Sequence, residues 1–502
     1  MTITDELIAH VAGEPSTRQQ RFATARAVYE GDMSAPLVDA DGNPNRLDNV
    51  IVPAARNIVD KGVAFLFGDE PMFDVTEAYG EDAQHALMRI WRDSRMPTRL
   101  LEIAKHGAIA GQFVFKFEPD PSDQKDGRHR FVVADPCYLD AVWDPHDTSK
   151  VLLYRFEYPT VAPNENGEII PFVWRQDIEA QRSEPDEFGR QITESWVIRN
   201  FRAEAPKEHG TGRQRWLGMG ATRRNAKWQQ VGGDYPWPFE WAPVFTGQNL
   251  ISPNSFWGYS DIEDAVTRLN ESLNRSASNI AKTIRHHAHP VTIVRGATWP
   301  EDHAIGEPVE FDLPPAEIAV ENLEMQSDQT AALEYMRELR AELYDAARVP
   351  DVSRGKVDNA GQLSGAALRI LYGPLLEKTG EKRRTYGDEL EAALRCALEY
   401  MGFQPLDAAD PDVKLIWPDP LPKNEKEDAE TGEIDRRNGL SQRTYLERRG
   451  YDPDTEAENA LEEGANDPGM RGVLDLVGGA QIDAQANENR SASTDASGIA
   501  SE

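Results

Sequence analysis

The clearest alternation of apolar and polar positions in this chain lies between residues 327 and 400. In the first part of that region, large apolar residues recur at spacings of three and four: Leu333, Met336, Leu339 and Leu343. This spacing predicts an amphipathic helix with a single apolar stripe. The helix is expected to end before Pro350, because the residue that precedes a proline is disfavoured in the α conformation. We therefore predict a helix over residues 327–348.

A loop over residues 349–363 and a second long helix over residues 364–402 follow. The loop contains Gly, Asn and Asp but few large apolar residues, so it is expected to project from the rest of the structure. The apolar pattern of the helix runs along its whole length: Ala367, Ile370, Leu371, Tyr386, Leu390, Leu394 and Leu398. Gly373 and Pro374 interrupt it, and the missing donor and ring clash at proline predict a sharp kink there.

A third long helix is predicted over residues 258–287, with a regular pattern from about Ser260 onwards. Its apolar residues have the spacing of a seam that packs against a neighbouring helix: Ile262, Val266, Leu269, Leu273, Ile280 and Ile284. Three basic residues of the same helix fall seven positions apart: Arg268, Arg275 and Lys282. Because seven residues are close to two helical turns, these three side chains form a basic stripe.

The segment between two of these helices, residues 288–326, is acidic. No Lys or Arg occurs between Arg295 and Arg337, whereas acidic residues are frequent there: Glu301, Asp302, Glu307, Glu310, Asp312, Glu317, Glu321, Glu324, Asp328 and Glu334. Several prolines predict short strands and turns for most of the segment. A solvated acidic loop and a surface for a partner are both open interpretations, and exposed Trp299 and Ile318 would suit the second.

The rest of the chain mixes helical and strand patterns. Helices are predicted at 57–67 and 99–110, and strands at 113–117, 130–133, 151–158, 194–202 and 413–417. These segments indicate an α+β fold. Residues 423–465 have a helical pattern, and the polar composition from residue 466 onwards predicts disorder.

The composition limits the class of protein. A chain of 502 residues can hold several domains, and its two cysteines, Cys137 and Cys396, are too few for a disulfide framework. The acidic N-terminal residues and the lack of a long apolar run make secretion and membrane insertion unexpected. The formal net charge of −32 disfavours tight nonspecific binding of DNA, which depends on Lys and Arg, but it is compatible with DNA that slides past.

The sequence predicts no catalytic residue, no metal and no cofactor. No GxxxxGK[ST], GxSxG or HExxH pattern occurs. His286, His287 and His289 are close together, but no Cys or paired carboxylate accompanies them at ligand spacing. A metal-dependent nuclease that uses the many carboxylates remains an alternative function.

Four segments of the sequence resemble portal proteins of tailed bacteriophages, in the family close to the portal of Bacillus phage SPP1. Val349-Pro350-Asp351, followed by residues 363–368, resembles the tunnel-loop region of that family. Gly258 to Glu263, leading into residues 269–274, resembles the start of its stem helix. Residues 29–31, Asn49, 55–61 and 66–71 resemble its wing, and residues 438–444 its crown. Order and spacing agree over roughly residues 26–465.

The resemblance implies an α+β portal fold that assembles as a ring of about twelve copies. After a polar lead-in, 1–25, it implies a wing, 26–257, and stem helices at 258–287 and 327–348. Between the stem helices lies the clip, 288–326. The tunnel loop, 349–363, and the kinked helix, 364–402, follow. A return to the wing, 403–422, a crown, 423–465, and a disordered tail, 466–502, complete the chain.

The resemblance also implies a function without enzymatic activity. The ring would be the channel at one capsid vertex through which double-stranded DNA is packaged and ejected, in the virion and, during assembly, in the host cytoplasm. Its implied partners are the terminase large subunit, a head-completion adaptor, and the major capsid and scaffolding proteins, with no membrane. Another capsid connector or scaffold is the alternative from the same class.

Three groups of residues are candidates for function in such a ring. The tunnel loop supplies channel candidates: Arg354, Lys356, Asp358 and Asn359. The clip supplies candidates for partner binding: Trp299, Glu301, Asp302, Glu307, Glu310, Asp312 and Ile318. The basic stripe of the stem would either face the channel and guide DNA or pair with acidic residues of an adjacent subunit.

Overall fold

The structure is a computed structural model of the whole chain. It describes residues 15–31, 37, 49–119, 129–144, 147–163, 169–182, 193–204, 227–288, 291–295, 319–323, 330–351, 365–406, 413–421, 434 and 437. The chain divides into two compact units, residues 1–421 and 422–502. In the second unit the described residues are Ile434 and Arg437, both helical. The elements below belong to the first unit.

Helices lie before and after the main β region of the described chain. The first group comprises α1 (Pro15–Glu30), α2 (Ala54–Phe67), α3 (Thr76–Tyr79), α4 (Glu81–Asp93) and α5 (Met96–Ala110). The second group comprises α6 (Asp264–Ala288), α7 (Thr330–Ala346), α8 (Gly365–Leu371) and α9 (Gly373–Tyr400). A short 3-10 helix spans Pro136–Tyr138.

The strands form antiparallel sheets, of which one is large. That sheet has the order β4 (Leu139–Asp144), β5 (Asp147–Pro163), β6 (Ile169–Arg182), β7 (Thr193–Glu204), β8 (Gln229–Gln230), and β9 (Tyr235–Trp237) also pairs with β7. A second sheet has the order β10 (Val244–Gln248), β2 (Gln112–Pro119), β3 (His129–Val133). Two pairs complete the set: β1 (Met72–Asp74) with β13 (Lys414–Ile416), and β11 (Val291–Arg295) with β12 (Ala319–Leu323).

The long helix α9 lies at the centre of the apolar core. Its inward residues are fully or almost fully buried: Leu375, Tyr386, Leu390, Leu394 and Leu398. Tyr386 stacks on Phe113 of β2 with a ring separation of 3.9 Å, and it contacts Phe67 of α2 edge-on. Burial of each such side chain contributes roughly 1.5 to 3 kcal/mol. Helix α9 therefore joins the second sheet to the N-terminal helices.

Two glycines allow the end of α5 to lie against the segment that leads to α6. Gly111 ends α5 with φ of 81°, a left-handed conformation that glycine adopts without strain. A Cβ atom on Gly111 would lie 2.5 Å from the carbonyl oxygen of Gly258, and one on Gly258 would lie 2.5 Å from that of Gly111. This contact requires glycine at both positions.

The helices predicted from apolar spacing are present, with one shifted start. Helix α7 lies inside the predicted 327–348, and α2 and α5 each begin three residues before the predicted position. Helix α6 begins at Asp264 and not near Ser260. Ser260 donates a hydrogen bond through Oγ to Ala108 O and Ile109 O, so this segment is tied to α5 instead of joining the helix.

The predicted helix over 364–402 is interrupted at Tyr372, which separates α8 from α9. Tyr372 has φ of −90° and ψ of 4°. Pro374 lies in the first turn of α9, where a missing N–H group leaves no helical hydrogen bond unmade. The sharp kink at Gly373 and Pro374 stays a prediction.

The predicted strands are present and most are longer than expected. The strand expected at 151–158 extends over Asp147–Pro163, and that at 194–202 over Thr193–Glu204. The strand expected at 413–417 is β13, whose Ile416 pairs with Met72 of β1. Within the acidic segment, β11 and β12 pair from Val291 with Leu323 to Arg295 with Ala319.

Candidate functional site

A cluster of three buried charges lies where α9 meets the segment before α6. Lys382 donates a hydrogen bond of 2.6 Å from Nζ to Asp261 Oδ2. Lys378 Nζ lies 3.2 Å from Asp261 Oδ1. The three residues are only 2 to 3% exposed. A carboxylate between two ammonium groups leaves the cluster with one formal positive charge.

Local structure brings these side chains together. Lys378 and Lys382 are four residues apart on α9, so they lie on the same face one turn from each other. Asp261 is held from the other side, because its backbone N–H donates to Ala108 O of α5 over 2.8 Å. The cluster thus joins α9, α5 and the start of α6.

An amide and a phenol extend the cluster towards the second sheet. Asn249 Nδ2 donates to Asp261 Oδ1 and to Tyr259 O, each over 3.1 Å. The hydroxyl of Tyr386 donates to Asn249 Oδ1 over 3.1 Å. Asn249 is fully buried, and buried amides are stable where their polar atoms have partners. The network orients Asp261 towards the lysines.

Burial and mutual attraction shift the pKa values in opposite ways. Burial alone would raise the pKa of Asp261, but Lys378 and Lys382 lower it to about 2. Burial lowers the pKa of Lys382 to about 8, and nearby Lys378 adds to this effect, although Asp261 opposes it. The carboxylate is therefore charged across the neutral range, whereas Lys382 loses its proton at mildly basic pH.

Glycines on α2 and α5 make room for the network. A Cβ atom on Gly62 would lie 3.1 Å from Asp261 Oδ2. A Cβ atom on Gly107 would overlap the hydroxyl oxygen of Tyr386. Helices α2 and α5 approach the cluster closely only because these positions have no side chain.

The same cluster anchors the end of α7. Lys378 Nζ donates to Ala347 O over 3.0 Å. Next to it, Arg340 of α7 forms a two-pronged ion pair with Asp351, with distances of 2.6 Å from Nε to Oδ2 and 2.8 Å from Nη2 to Oδ1. The segment from Ala347 to Asp351 is thus fixed to both α7 and α9.

Glutamates of α9 bind backbone N–H groups of neighbouring strands and turns. Glu381 accepts a hydrogen bond of 3.0 Å from Ile251 N, and Glu391 accepts one of 2.9 Å from Leu415 N. Burial raises the pKa of Glu389 to about 7, although the backbone N–H of Thr246 partly offsets this. These carboxylates thus accept hydrogen bonds from backbone N–H groups in strands and in the segment at Ile251.

Comparisons with known proteins identify the family. A model of the family described as phage portal protein, SPP1 Gp6-like, matches residues 9–190 and 233–469. The chain belongs to this portal family. No curated protein sequence matches the chain. A chain in a solved structure of the virion of a native gene transfer agent particle is similar at 12% identity, with a TM-score of 0.44, over 86% of this chain and 94% of that chain. That structural similarity is weak.

Membership of a phage portal family defines the broad class of the protein. The family is structural and not enzymatic, which indicates a virion component that assembles with the capsid as an oligomer. None of the helices in the described part of the chain has the length and hydropathy to cross a bilayer. Among the described residues, no three His, Cys, Asp or Glu side chains are arranged to hold a metal ion.

Some of the predicted portal residues lie within the described part of the chain, and others lie outside it. Arg268, Arg275 and Lys282 lie on α6 and are all exposed. The tunnel-loop candidates lie outside the described residues: Arg354, Lys356, Asp358 and Asn359. The clip candidates also lie outside them: Trp299, Glu301, Asp302, Glu307, Glu310, Asp312 and Ile318. Their roles stay predictions, as does the role of the stem residues.

Sequence reasoning missed the buried cluster, although two signals pointed to it. Lys378 and Lys382 fall in phase with buried Leu375 and Tyr386, which is an unusual place for two lysines. Asp261 lies in the segment that resembles the start of the portal stem. A search for charged residues at core positions of the predicted helix would have found both lysines.

Proposed function

We propose that this chain forms a ring of about twelve copies at one capsid vertex and that double-stranded DNA passes through the ring during packaging and ejection. The observation that carries this proposal is the match of the portal family model over most of the chain. Portal proteins of this family are components of the virion. The proposed assembly takes place in the host cytoplasm before the protein becomes part of the particle.

The fixed base of the predicted tunnel loop supports a contact with DNA. The chain enters the loop after Ala347, which is bound to Lys378, and Asp351 is held by Arg340. On the far side of the loop, the largely exposed α8 leads to α9, which is buried in the core from Leu375 onwards. A loop that is anchored at its base can contact a moving duplex repeatedly. Arg354 and Lys356 would contact phosphates transiently, with Asp358 and Asn359 beside them.

The acidic clip would bind the partners that act in sequence at the vertex. We expect the terminase large subunit to bind first and the head-completion adaptor later, through Trp299, Ile318 and the nearby carboxylates. The major capsid and scaffolding proteins would contact the ring during assembly. ATP hydrolysis is assigned to the motor, because no nucleotide-binding pattern occurs in this sequence. No observation among the described residues favours a nuclease, connector or scaffold instead.

Electron microscopy of the purified full-length chain combined with a DNA packaging assay tests this proposal. Wild-type protein should form rings with a central channel and should support packaging. The double variant Arg354→Ala, Lys356→Ala should form the same rings but package less DNA, because the phosphate contacts are lost.

A matched control removes two positive charges from exposed positions elsewhere. Arg89 on α4 and Lys150 on β5 are both exposed, so the Arg89→Ala, Lys150→Ala variant should package like the wild type. Normal packaging by the tunnel-loop variant would remove the role assigned to Arg354 and Lys356. A wild-type chain that forms no rings would contradict the proposed function itself.

A further inference from the structure

The exposed faces of α6 and α7 carry opposite charges. On α6 the exposed basic stripe comprises three residues: Arg268, Arg275 and Lys282. On α7 three exposed carboxylates, spaced by four and seven residues, form an acidic stripe: Glu334, Glu338 and Asp345. Spacings of four and seven place side chains on one face of a helix. Each helix therefore presents a charged line of one predominant sign.

Both stripes face away from the core of their own chain. Val266 of α6 and Leu343 of α7 are buried and belong to the same apolar cluster. Arg275 follows Val266 by about two and a half turns, and Glu334 precedes Leu343 by about the same number of turns. Each charged residue is therefore on the side of its helix opposite to the buried residue. Packing of α6 against α7 leaves both stripes exposed.

Neither stripe has an ion-pair partner within the described part of the chain. The ion pair that α7 does form there uses Arg340 and Asp351, which are not in either stripe. Glu271 lies one turn before Arg275 on α6, but no ion pair joins them within those residues. The two stripes thus have complementary charges that find no counterpart among the described residues of one copy.

Helices α6 and α7 are antiparallel within one copy, and this determines the direction in which the two stripes can pair between copies. At one end, Val291 after α6 pairs with Leu323 before α7. At the other end, Lys378 contacts both Asp261, before α6, and Ala347, after α7. In a neighbouring copy related by rotation about an axis parallel to the helices, α7 would therefore run opposite to α6.

That arrangement gives each basic residue an acidic counterpart. Arg268 and Arg275 are seven residues apart, and so are Glu338 and Asp345, which corresponds to about 10 Å along each helix. When Arg275 faces Glu338, Arg268 faces Asp345. Lys282 and Glu334 are then offset by about 5 Å along the helix axis. A flexible lysine side chain spans this offset.

We infer that the basic stripe of one copy binds the acidic stripe of the next copy, so that α6 and α7 form a charged interface between subunits. This inference rests on the ring of the proposed function. A head-to-tail interface of this kind uses one basic and one acidic stripe from every copy, so a closed ring leaves none unmatched. The basic stripe would then serve assembly and not contact DNA.

Charge reversal in the full-length chain tests this interface by the fraction of protein in rings. In the Arg268→Glu, Arg275→Glu, Lys282→Glu variant, the fraction of protein in rings should fall at least about tenfold, because like charges then face each other. The Glu334→Lys, Glu338→Lys, Asp345→Lys variant should show a similar loss. A chain with both sets of substitutions should recover rings, because the charges are complementary again.

A matched control changes the net charge by the same amount at a different surface. Arg89 and Arg92 on α4 and Lys150 on β5 are exposed, and their replacement by Glu should leave ring formation unchanged. Ring formation at the wild-type level by the reversed α6 variant would overturn the inference and leave the proposed function intact. If such rings packaged DNA poorly, the stripe would face the channel. Absence of rings from wild-type protein would instead contradict the proposed function, and the inference with it.

Disulfide trapping provides a second measurement that tolerates weakened assembly. An Arg275→Cys chain and a Glu338→Cys chain should form a crosslinked dimer only when the two are mixed. Wild-type protein measures the background crosslinking through Cys137 and Cys396. A crosslink in the Arg275→Cys chain alone would indicate contact between identical stripes and would overturn the inference. Absence of the mixed crosslink in rings that form normally would do the same.

Discussion

Lys382 donates a hydrogen bond to Asp261 across 121 residues of sequence, and both side chains are almost completely buried. Lys378 shares the same carboxylate and also donates a hydrogen bond to Ala347 O, two residues before the predicted tunnel loop. Charges of this kind are expensive to bury and expensive to separate once they are buried. The contacts of this one carboxylate therefore fix α5, α9 and the start of α6 relative to one another.

Replacement of Asp261 by Asn should strongly destabilise the chain. The variant keeps the shape of the side chain but leaves two buried ammonium groups without a counter-charge, which costs about 3 to 5 kcal/mol. The free energy of unfolding in a denaturant titration would measure this effect. Asp264, three residues further on, is exposed, so Asp264→Asn should change the free energy of unfolding by less than about 0.5 kcal/mol. Equal stability of the two variants would show that the cluster contributes little.

Removal of Lys382 should have a different, pH-dependent effect. Burial lowers the pKa of Lys382 from its usual 10.5 to about 8, so between these values the unfolded chain binds a proton that the folded chain does not. Stability from this group therefore rises as the pH increases from about 8 towards 10. The Lys382→Met variant lacks this rise, and at pH 7 it should lose less stability than Asp261→Asn because Lys378 still pairs with Asp261.

Thermal unfolding of wild type and Lys382→Met across pH 7 to 10 would test this difference. Lys282→Met is a suitable control, since Lys282 is exposed on α6. Its curve should run parallel to that of the wild type. A wild-type curve parallel to that of Lys382→Met would mean that Lys382 keeps its usual pKa.

The helices were predictable because apolar spacing is a local property, whereas the cluster depends on distant contacts. Leu333 to Leu343 and Tyr386 to Leu398 recur with a helical period, and the structure has α7 and α9 at those positions. The start of α6 was predicted too early, because Ser260 is bound to the end of α5, about 150 residues earlier in the chain. No local pattern links Asp261 to Lys378 and Lys382, so the contact itself could not be predicted, although the lysines at core positions and the segment around Asp261 were both visible in the sequence.

Two arginine–aspartate pairs with similar distances should differ in their effect on stability. Arg340 binds Asp351 in two-pronged geometry at a half-buried site, while Arg369 binds Asp419 over 2.7 Å at an exposed one. Arg340→Ala should cost about 1 to 3 kcal/mol, because a charge-assisted pair is lost where solvent is partly excluded. Arg369→Ala should cost below about 1 kcal/mol, as is usual for exposed pairs. Denaturant titration of both variants measures the difference, and a larger loss for Arg369→Ala would contradict it.

Gly107 should tolerate no side chain as long as Tyr386 keeps its hydroxyl group. A Cβ atom at Gly107 would overlap that hydroxyl, so Gly107→Ala forces the tyrosine or the helix to move and should cost about 1 to 3 kcal/mol. Tyr386→Phe removes the obstructing oxygen together with its hydrogen bond to Asn249. The double variant should therefore be more stable than the sum of the two single losses predicts, with a coupling of at least about 1 kcal/mol. Additive losses in a double-mutant cycle would show that α5 yields to the added methyl group without pressing on Tyr386.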